Sequence, residues 1–185
     1  FDAERRQRDL LPVPDGADRF LDMIVAEVLP AVAGIAPLDP ARRALAGHSY
    51  GGLFVLHALF TRPGLFAAHV AGSPSIWWQD RAILASEEAF RRGGSAPAGR
   101  LLITVGSHEQ DPVLAVTPQR AERLAQARMR DNAAEMAGRL SASGRIACSF
   151  TEFPGENHVS VILPMLARAI AFALAGTAQD EAAAA

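Results

Sequence analysis

Short, mostly apolar runs alternate along the chain with longer amphipathic segments. The apolar runs cover 42–47, 66–72, 101–105 and 146–153, and each has the length of a strand that is buried on both faces. The segments between them are longer and carry apolar residues at intervals of three or four positions, which is typical of helices. Strands that alternate with helices predict a parallel sheet covered by helices, so the predicted fold class is α/β.

The amphipathic segments predict five helices, and one loop precedes them. The helices cover 17–33, 53–60, 79–91, 118–141 and a segment from 162 onward. Three of them carry regularly spaced apolar side chains: Phe20, Ile24, Val28 and Val32 in the first, Ala125, Met129, Ala133, Met136 and Leu140 in the fourth, and Ile162, Leu166, Ile170 and Leu174 in the last. We expect the first two sets to face the core, with Pro30 loosening the first helix and Thr117 and Pro118 beginning the fourth. The charged and proline-rich residues 1–16 predict an extended loop.

The segment Gly47-His48-Ser49-Tyr50-Gly51 lies between a predicted strand and a predicted helix, which is the context of a G-x-S-x-G nucleophile elbow. Such a turn is too tight for side chains beside the serine, so we expect Gly47 and Gly51 to prevent clashes and Ser49 to hold a strained backbone. By chain direction, His48 is expected to point away from the Oγ of Ser49. The N–H of Tyr50, at the positive end of the next helix, is expected to face an oxyanion formed at Ser49.

A serine nucleophile needs a base, and the sequence offers several histidines. His57 and His69 fall within a predicted helix and a predicted strand, where we expect them to pack in the core. His108 and His158 follow strands, in loops at the carboxyl edge of the sheet. The chain order in α/β-hydrolases is nucleophile, acid, histidine, and only His158 leaves room for an acid after Ser49.

The acid is expected after the third predicted strand, where a carboxylate would orient the imidazole of His158 and stabilise its positive charge. Glu109 and Asp111 both meet this condition, and the sequence favours Glu109. Glu156 and Asn157 are too close to His158 along the chain to orient it, so we predict that they are turn residues.

Trp77 and Trp78 follow the second predicted strand, in the loop Ser73–Trp78. In open parallel sheets, ligands bind beyond the carboxyl ends of the strands. The two tryptophans therefore either line a substrate pocket or cap the core, and the sequence supports both alternatives equally.

The chain has 185 residues, which is enough for one domain with a sizeable core. Half of the residues are hydrophobic (50%) and 21% are charged, as in ordinary globular proteins. We predict one α/β domain over 1–177 and a low-complexity tail over 178–185 that frays.

Charge, hydropathy and cysteine content bear on which partners and sites to expect. The net charge of −2 gives no reason to expect binding to nucleic acid or to an anionic membrane, and no apolar run approaches the ~20 residues of a membrane span. Cys148 is the only cysteine, so an internal disulfide and a cysteine metal site are excluded. Four arginines are expected to form the solvated face of one helix: Arg120, Arg123, Arg128 and Arg130.

Five segments together resemble a known group, the esterase D-like family of α/β-hydrolases, and most closely its siderophore esterases of the enterochelin and salmochelin type. These segments are Arg5-x-x-Arg8-Asp9-Leu10-x-Pro12, Gly47-His48-Ser49-Tyr50-Gly51-Gly52-Leu53-Phe54, Ser73-Pro74-Ser75-Ile76-Trp77-Trp78, Gly106-x-x-Glu109 and Gly155-x-Asn157-His158-x-Ser160-Val161. The elbow alone is shared by many families, whereas its combination with the S-P-S-I-W-W loop is more specific.

The resemblance implies a serine ester hydrolase that works through an acyl-enzyme on a small-molecule ester and needs no metal or organic cofactor. It implies that Ser49 is the nucleophile, His158 the base and Glu109 the residue at the acid position, although some siderophore esterases use a serine–histidine dyad. Family members cleave ester or lactone bonds of catecholate siderophores. Relatives in the wider branch act on other acyl esters, including S-formylglutathione and feruloyl esters, so another acyl substrate or acceptor stays an alternative.

The resemblance also implies strands of the same fold that precede Phe1 in a full member, about four of them, including the neighbour of the elbow strand and the loop with the second oxyanion donor. Without them we expect the elbow strand to expose an unpaired apolar edge, and the 185 residues alone to have weak or no activity. A non-catalytic remnant of the fold is the alternative of another class.

Overall fold

The computed structural model describes residues 2–12, 15–94, 99–112 and 117–175, so the predicted tail over 178–185 lies outside the described residues. The described ranges contain α1 (Ala3–Leu10), α2 (Gly16–Met23), α3 (Leu29–Ala33), β1 (Ala44–His48), α4 (Tyr50–Thr61), β2 (Ala68–Gly72), α5 (Trp78–Arg81), α6 (Ile83–Arg92), β3 (Arg100–Gly106), α7 (Pro118–Ala127), α8 (Met129–Ser143), β4 (Ala147–Phe153) and α9 (Ile162–Leu174). A π-helix over Ile24–Val28 joins α2 to α3, and short 3-10 helices cover Pro40–Arg42 and Ser107–Gln110.

The strands form one parallel sheet in the order β1-β2-β3-β4. Gly47 of β1 pairs with Ala71 of β2, which in turn pairs with Ile103 of β3. All strands therefore end at the same edge of the sheet. The α/β class and the four predicted parallel strands are confirmed.

Helices cover both faces of the sheet. On one face, α4, α6 and α8 pack around a core that includes Leu56, Ile103 and Met136. On the other face, α9 packs through Met165 against Val70. α1 and α2 pack against α4. The histidines predicted to lie in the core are there, since His57 and His69 are buried.

β1 is an edge strand within the described ranges, because β2 is its partner there and its other side is unpaired. Ala44 and Ala46 are exposed, whereas every residue of β2 is buried. An unpaired edge with small apolar side chains can add a further strand. The expected apolar edge of the elbow strand is therefore present.

The N-terminal segment differs from the prediction of an extended loop, because residues 3–10 form α1. Asp2 caps this helix by accepting a hydrogen bond from the N–H of Arg5 at 2.9 Å. Glu4 in the first turn and Arg8 in the last turn complement the helix dipole. These terminal effects stabilise a helix that buries none of its own side chains.

The first predicted helix is interrupted by the π-helix that precedes Pro30. Proline has no N–H and its ring crowds the carbonyl one turn earlier, so the wider π turn accommodates it. The predicted inner face ends at this interruption: Val28 and Val32 are 41% and 40% exposed. The prediction that both face the core is therefore wrong.

The predicted helix over 118–141 is two helices, because Arg128 takes a left-handed backbone with φ 45° and ψ 43°. The side-chain carbonyl of Gln110 caps α8 by accepting from the N–H groups of Arg130 and Asp131, both at 3.1 Å. Thr117 caps α7 as predicted. The break lets α7 leave the sheet: α7 buries no residue, and Ala125, predicted to face the core, is exposed.

α9 faces the sheet through a different set of residues from the regularly spaced one in the sequence. Met165 and Ala169 are buried, whereas Ile170 is 61% exposed and Leu174 is 66% exposed. In the described part of the chain, no helix combines the length and the low polarity needed to cross a membrane.

Candidate active site

Ser49 lies in the turn between β1 and α4, with a strained backbone at φ 63° and ψ −118°. A Cβ at Gly47 would collide with the carbonyl of Gly51, and a Cβ at Gly52 would lie 2.6 Å from the carbonyl oxygen of Gly72. A Cβ at Gly51 itself would meet nothing within 4 Å. The expectation for Gly47 is thus correct, whereas Gly52, not Gly51, is the second glycine that the turn requires.

Ser49, His158 and Glu109 form a chain of hydrogen bonds. The Oγ of Ser49 lies 3.0 Å from the Nε2 of His158, and the Nδ1 of His158 lies 2.6 Å from the Oε2 of Glu109. A carboxylate only accepts, so Nδ1 carries the hydrogen and Nε2 is the acceptor that faces the serine hydroxyl. The alternative acid, Asp111, follows the 3-10 helix that contains Glu109, and the imidazole contacts Glu109 instead.

The carboxylate of Glu109 is 2% exposed and is held by two more donors. The hydroxyl of Ser73 donates to Oε1 at 2.5 Å, and the N–H of Gly106 donates to the same oxygen at 2.7 Å. Hydrogen bonds to a buried carboxylate offset the cost of removing it from water. Ser73 holds this position with a positive φ of 41°, and it is buried.

The loop that carries His158 is tied to the loop that carries Glu109. The carbonyl of Glu156 accepts a hydrogen bond from the N–H of His108 at 2.9 Å. The side chain of Asn157 accepts from the N–H of Ser160 at 3.1 Å. Glu156 and Asn157 therefore hold the backbone of the loop that carries His158, which agrees with the prediction that they are turn residues.

The ring of His48 packs next to the imidazole of His158. Its ring centroid lies 4.6 Å from that of His158, at an angle of 43°. Burial, and then the neighbouring His158, lower the pKa of His48 from its ordinary value to about 4. His48 is therefore a neutral ring packed against the imidazole that contacts Ser49.

An open cavity of about 990 Å³ lies beside Ser49 and His158. Trp77 lines it, is 38% exposed and has its ring centroid 6.3 Å from that of Tyr50. Trp78 packs instead against the hydrophobic core. Trp78 therefore caps the core and does not line the cavity, whereas substrate binding by Trp77 stays a prediction.

α7 forms a wall of this cavity. Arg120 and Arg123 line it, whereas Arg128 and Arg130, beyond the end of α7, hold carboxylates of α8 and β4. The expectation of one solvated arginine face is therefore wrong, because the break at Arg128 separates the two pairs.

A family model for esterases, described as "Putative esterase", matches residues 2–147 of the chain. The chain belongs to this esterase family. The match includes Ser49 and Glu109, and it ends before His158.

Curated relatives within this esterase family are similar over most of the chain. A siderophore triacetylfusarinine C esterase of Aspergillus fumigatus is 40% identical, with 92% of this chain and 64% of the relative covered. A siderophore enterobactin esterase of Emericella nidulans is 43% identical, with 85% of this chain and 56% of the relative covered.

Among solved structures, the siderophore hydrolase EstB from Aspergillus nidulans superposes with a TM-score of 0.84 at 40% identity, covering 94% of this chain and 65% of that one. These neighbours share the α/β-hydrolase fold. The chain spans between one half and two thirds of the length of these relatives.

Sequence reasoning missed several residues around the candidate site. Ser73 is one of them: it directly follows β2, and a serine there is well placed to contact a carboxylate that follows the neighbouring strand β3. Ser75, in the same loop, is another: its Oγ lies 3.4 Å from the Oγ of Ser49. The helix break at Arg128, which brings Arg120 and Arg123 to the cavity, has no clear signal in the sequence.

Proposed function

We propose that this chain carries the catalytic residues of a serine ester hydrolase that cleaves an ester or lactone bond of a siderophore. The observation that carries the proposal is the chain of hydrogen bonds from Ser49 through His158 to Glu109. The siderophore as substrate is supported by the names of the relatives, which are siderophore esterases.

The first half of the reaction forms an acyl-enzyme. The Oγ of Ser49 attacks the ester carbonyl while its proton moves to the Nε2 of His158. Glu109 accepts the Nδ1 hydrogen bond and stabilises the imidazolium that results. The tetrahedral intermediate then breaks its bond to the alcohol oxygen, and His158 returns the proton to that oxygen.

The second half is hydrolysis of the acyl-enzyme. His158 takes a proton from water, the hydroxide oxygen attacks the acyl carbonyl, and the bond to the Oγ of Ser49 breaks as the proton returns to that oxygen. The products are a carboxylic acid and an alcohol, and the enzyme is regenerated.

The N–H of Tyr50 is the oxyanion donor in both halves. Tyr50 is the first residue of α4, so its N–H has no acceptor within the helix and lies at the positive end of the helix dipole. We propose that the second donor comes from further strands and loops of the same fold that pair with the free edge of β1. The exposed Ala44 and Ala46 on that edge, and the greater length of the relatives, support this.

Covalent labelling tests the proposal. A fluorophosphonate reacts with an activated serine, and intact mass spectrometry detects the adduct. We expect a single adduct on the full-length gene product, none on its Ser49→Ala variant, and weak or no labelling of the 185-residue chain alone. Absence of labelling on the full-length wild type would overturn the hydrolase and favour a non-catalytic protein of this fold.

A further inference from the structure

One side of α7 faces the cavity, and that side carries two arginines. Arg120, Arg123, Leu124 and Ala127 line the cavity, and their separations of three, four and seven residues place them on the same side of a helix. Both arginines are exposed. The helix therefore presents two positive charges to the space beside Ser49.

Neither of these guanidinium groups is held by a carboxylate of the described residues. Two other arginines nearby are held by carboxylates. Arg128 lies 2.7 Å from Glu135, and Arg130 contacts Glu152 through two nitrogens at 2.8 and 3.0 Å. The arginines that face the cavity are thus available for a ligand, whereas those past the helix break stabilise the fold.

The cavity offers little negative charge to compete with that ligand. Glu109 is a carboxylate in its lining, but it is buried and bonded to His158, Ser73 and Gly106. Uncompensated charges on the wall of a cleft concentrate the field there and attract ligands of opposite sign. An anion is therefore the ligand that the charge distribution fits.

The rest of the wall adds an aromatic surface. Trp77 and Tyr50 line the same cavity, and such rings contact other aromatic rings favourably. Guanidinium groups bind pairs of oxygens with two parallel hydrogen bonds. A ligand group that combines an aromatic ring with two adjacent negative oxygens meets both requirements.

We propose that Arg120 and Arg123 form an anion subsite that binds the negatively charged iron-coordinating end of a ferric catecholate siderophore while one of its ester bonds lies at Ser49. Three catecholate groups around iron(III) form a trianion, whereas three hydroxamate groups form a neutral complex. The subsite selects the first over the second. This inference rests on the hydrolase function proposed above.

The test compares the full-length gene product with its Arg120→Gln/Arg123→Gln variant on three esters. These are the iron(III) complex of a tris-catecholate trilactone, the iron(III) complex of a cyclic tris-hydroxamate triester, and p-nitrophenyl acetate. We expect kcat/KM for the trianion to fall about tenfold through KM and to lose most of its salt dependence, with changes under about twofold for the two neutral esters. The control is Arg92→Gln/Arg168→Gln, which removes the same charge at exposed positions outside the cavity lining.

A binding measurement separates failure of the subsite from failure of the hydrolase. In Ser49→Ala protein, quenching of tryptophan fluorescence reports binding of the trianionic complex without turnover. Binding that is weakened about tenfold by Arg120→Gln/Arg123→Gln supports the subsite even if no ester is hydrolysed. Binding that this variant and the control leave equally strong overturns the subsite, whatever the activity on p-nitrophenyl acetate.

Discussion

The imidazole of His48 packs against the imidazole of His158, with 4.6 Å between the ring centroids. Because burial lowers the pKa of His48 to about 4, it carries no charge at the pH where His158 would act as a base. A neutral neighbour leaves His158 able to accept the proton of Ser49. A positive neighbour would make that protonation less favourable.

This relationship predicts the effect of a charge at position 48. In the full-length gene product, His48→Lys lowers the apparent pKa on the ascending limb of the kcat/KM profile by about one unit, because a cation beside His158 disfavours its protonated form. His48→Gln leaves the limb in place. The measurement is hydrolysis of p-nitrophenyl acetate across the pH range, with melting curves to show that both variants fold. Coincident limbs in the two variants contradict the prediction.

His69 predicts how stability depends on pH. It is fully buried in β2, between Leu45 and Leu101 of the neighbouring strands, and burial lowers its pKa from 6.5 to about 4. Between these two pH values, His69 binds a proton in the unfolded chain but not in the folded one. The free energy of unfolding therefore falls as pH drops from about 6.5 towards 4.

His69→Leu removes this contribution, and the slope over that interval decreases by about 1.4 kcal/mol per pH unit. Urea unfolding at several pH values measures it. If the free energy of unfolding of the variant depends on pH as steeply as that of the wild-type protein, His69 is not the group responsible.

Much of the fold follows from patterns that are local in the sequence. Apolar runs define the strands, the elbow fixes the turn at Ser49, and parallel pairing brings the ends of β1, β3 and β4 to one edge of the sheet. The chain order therefore predicts that Ser49, His158 and a carboxylate after β3, from Glu109 or Asp111, lie near one another.

The sequence could not predict which side of each helix faces the core, because that depends on the elements that pack against the helix. A four-residue spacing drifts by about 40° per step around a helix of 3.6 residues per turn. Over three steps it leaves one face for another, so Ile162 and Leu174 do not share an inner face. In α9 the sheet selects Met165 and Ala169 instead. The break at Arg128 likewise depends on Gln110, which caps α8 from a distant loop.

Glu109 and Asp111 can be separated by paired substitutions. Glu109→Gln keeps the shape of the side chain but replaces the carboxylate that accepts from Nδ1 of His158, so kcat falls about a hundredfold or more. Asp111→Asn leaves kcat within about threefold, because the carboxylate bonded to Nδ1 of His158 is that of Glu109. Steady-state kinetics on p-nitrophenyl acetate measures both. A full rate in Glu109→Gln would indicate a serine–histidine dyad.

The side of α9 that faces away from the sheet offers a test of whether further parts of the same fold cover this chain. Leu163, Leu166 and Ile170 are 77%, 45% and 61% exposed and are spaced three and four residues apart, so they form one apolar strip. If the strands that we propose at β1 come with segments that cover this strip, a carboxylate introduced into the strip by substitution is buried in the full-length protein. In the 185-residue chain alone it stays in water.

We therefore expect Leu166→Glu/Ile170→Glu to lower the stability of the full-length gene product by about 3 kcal/mol or more and to reduce aggregation of the 185-residue chain. Arg168→Glu, at an exposed position of the same helix, is the control for a change of charge. Urea unfolding and light scattering measure the two effects. A full-length variant as stable as its control would show that the strip faces solvent in the complete protein, because an uncovered carboxylate costs almost nothing.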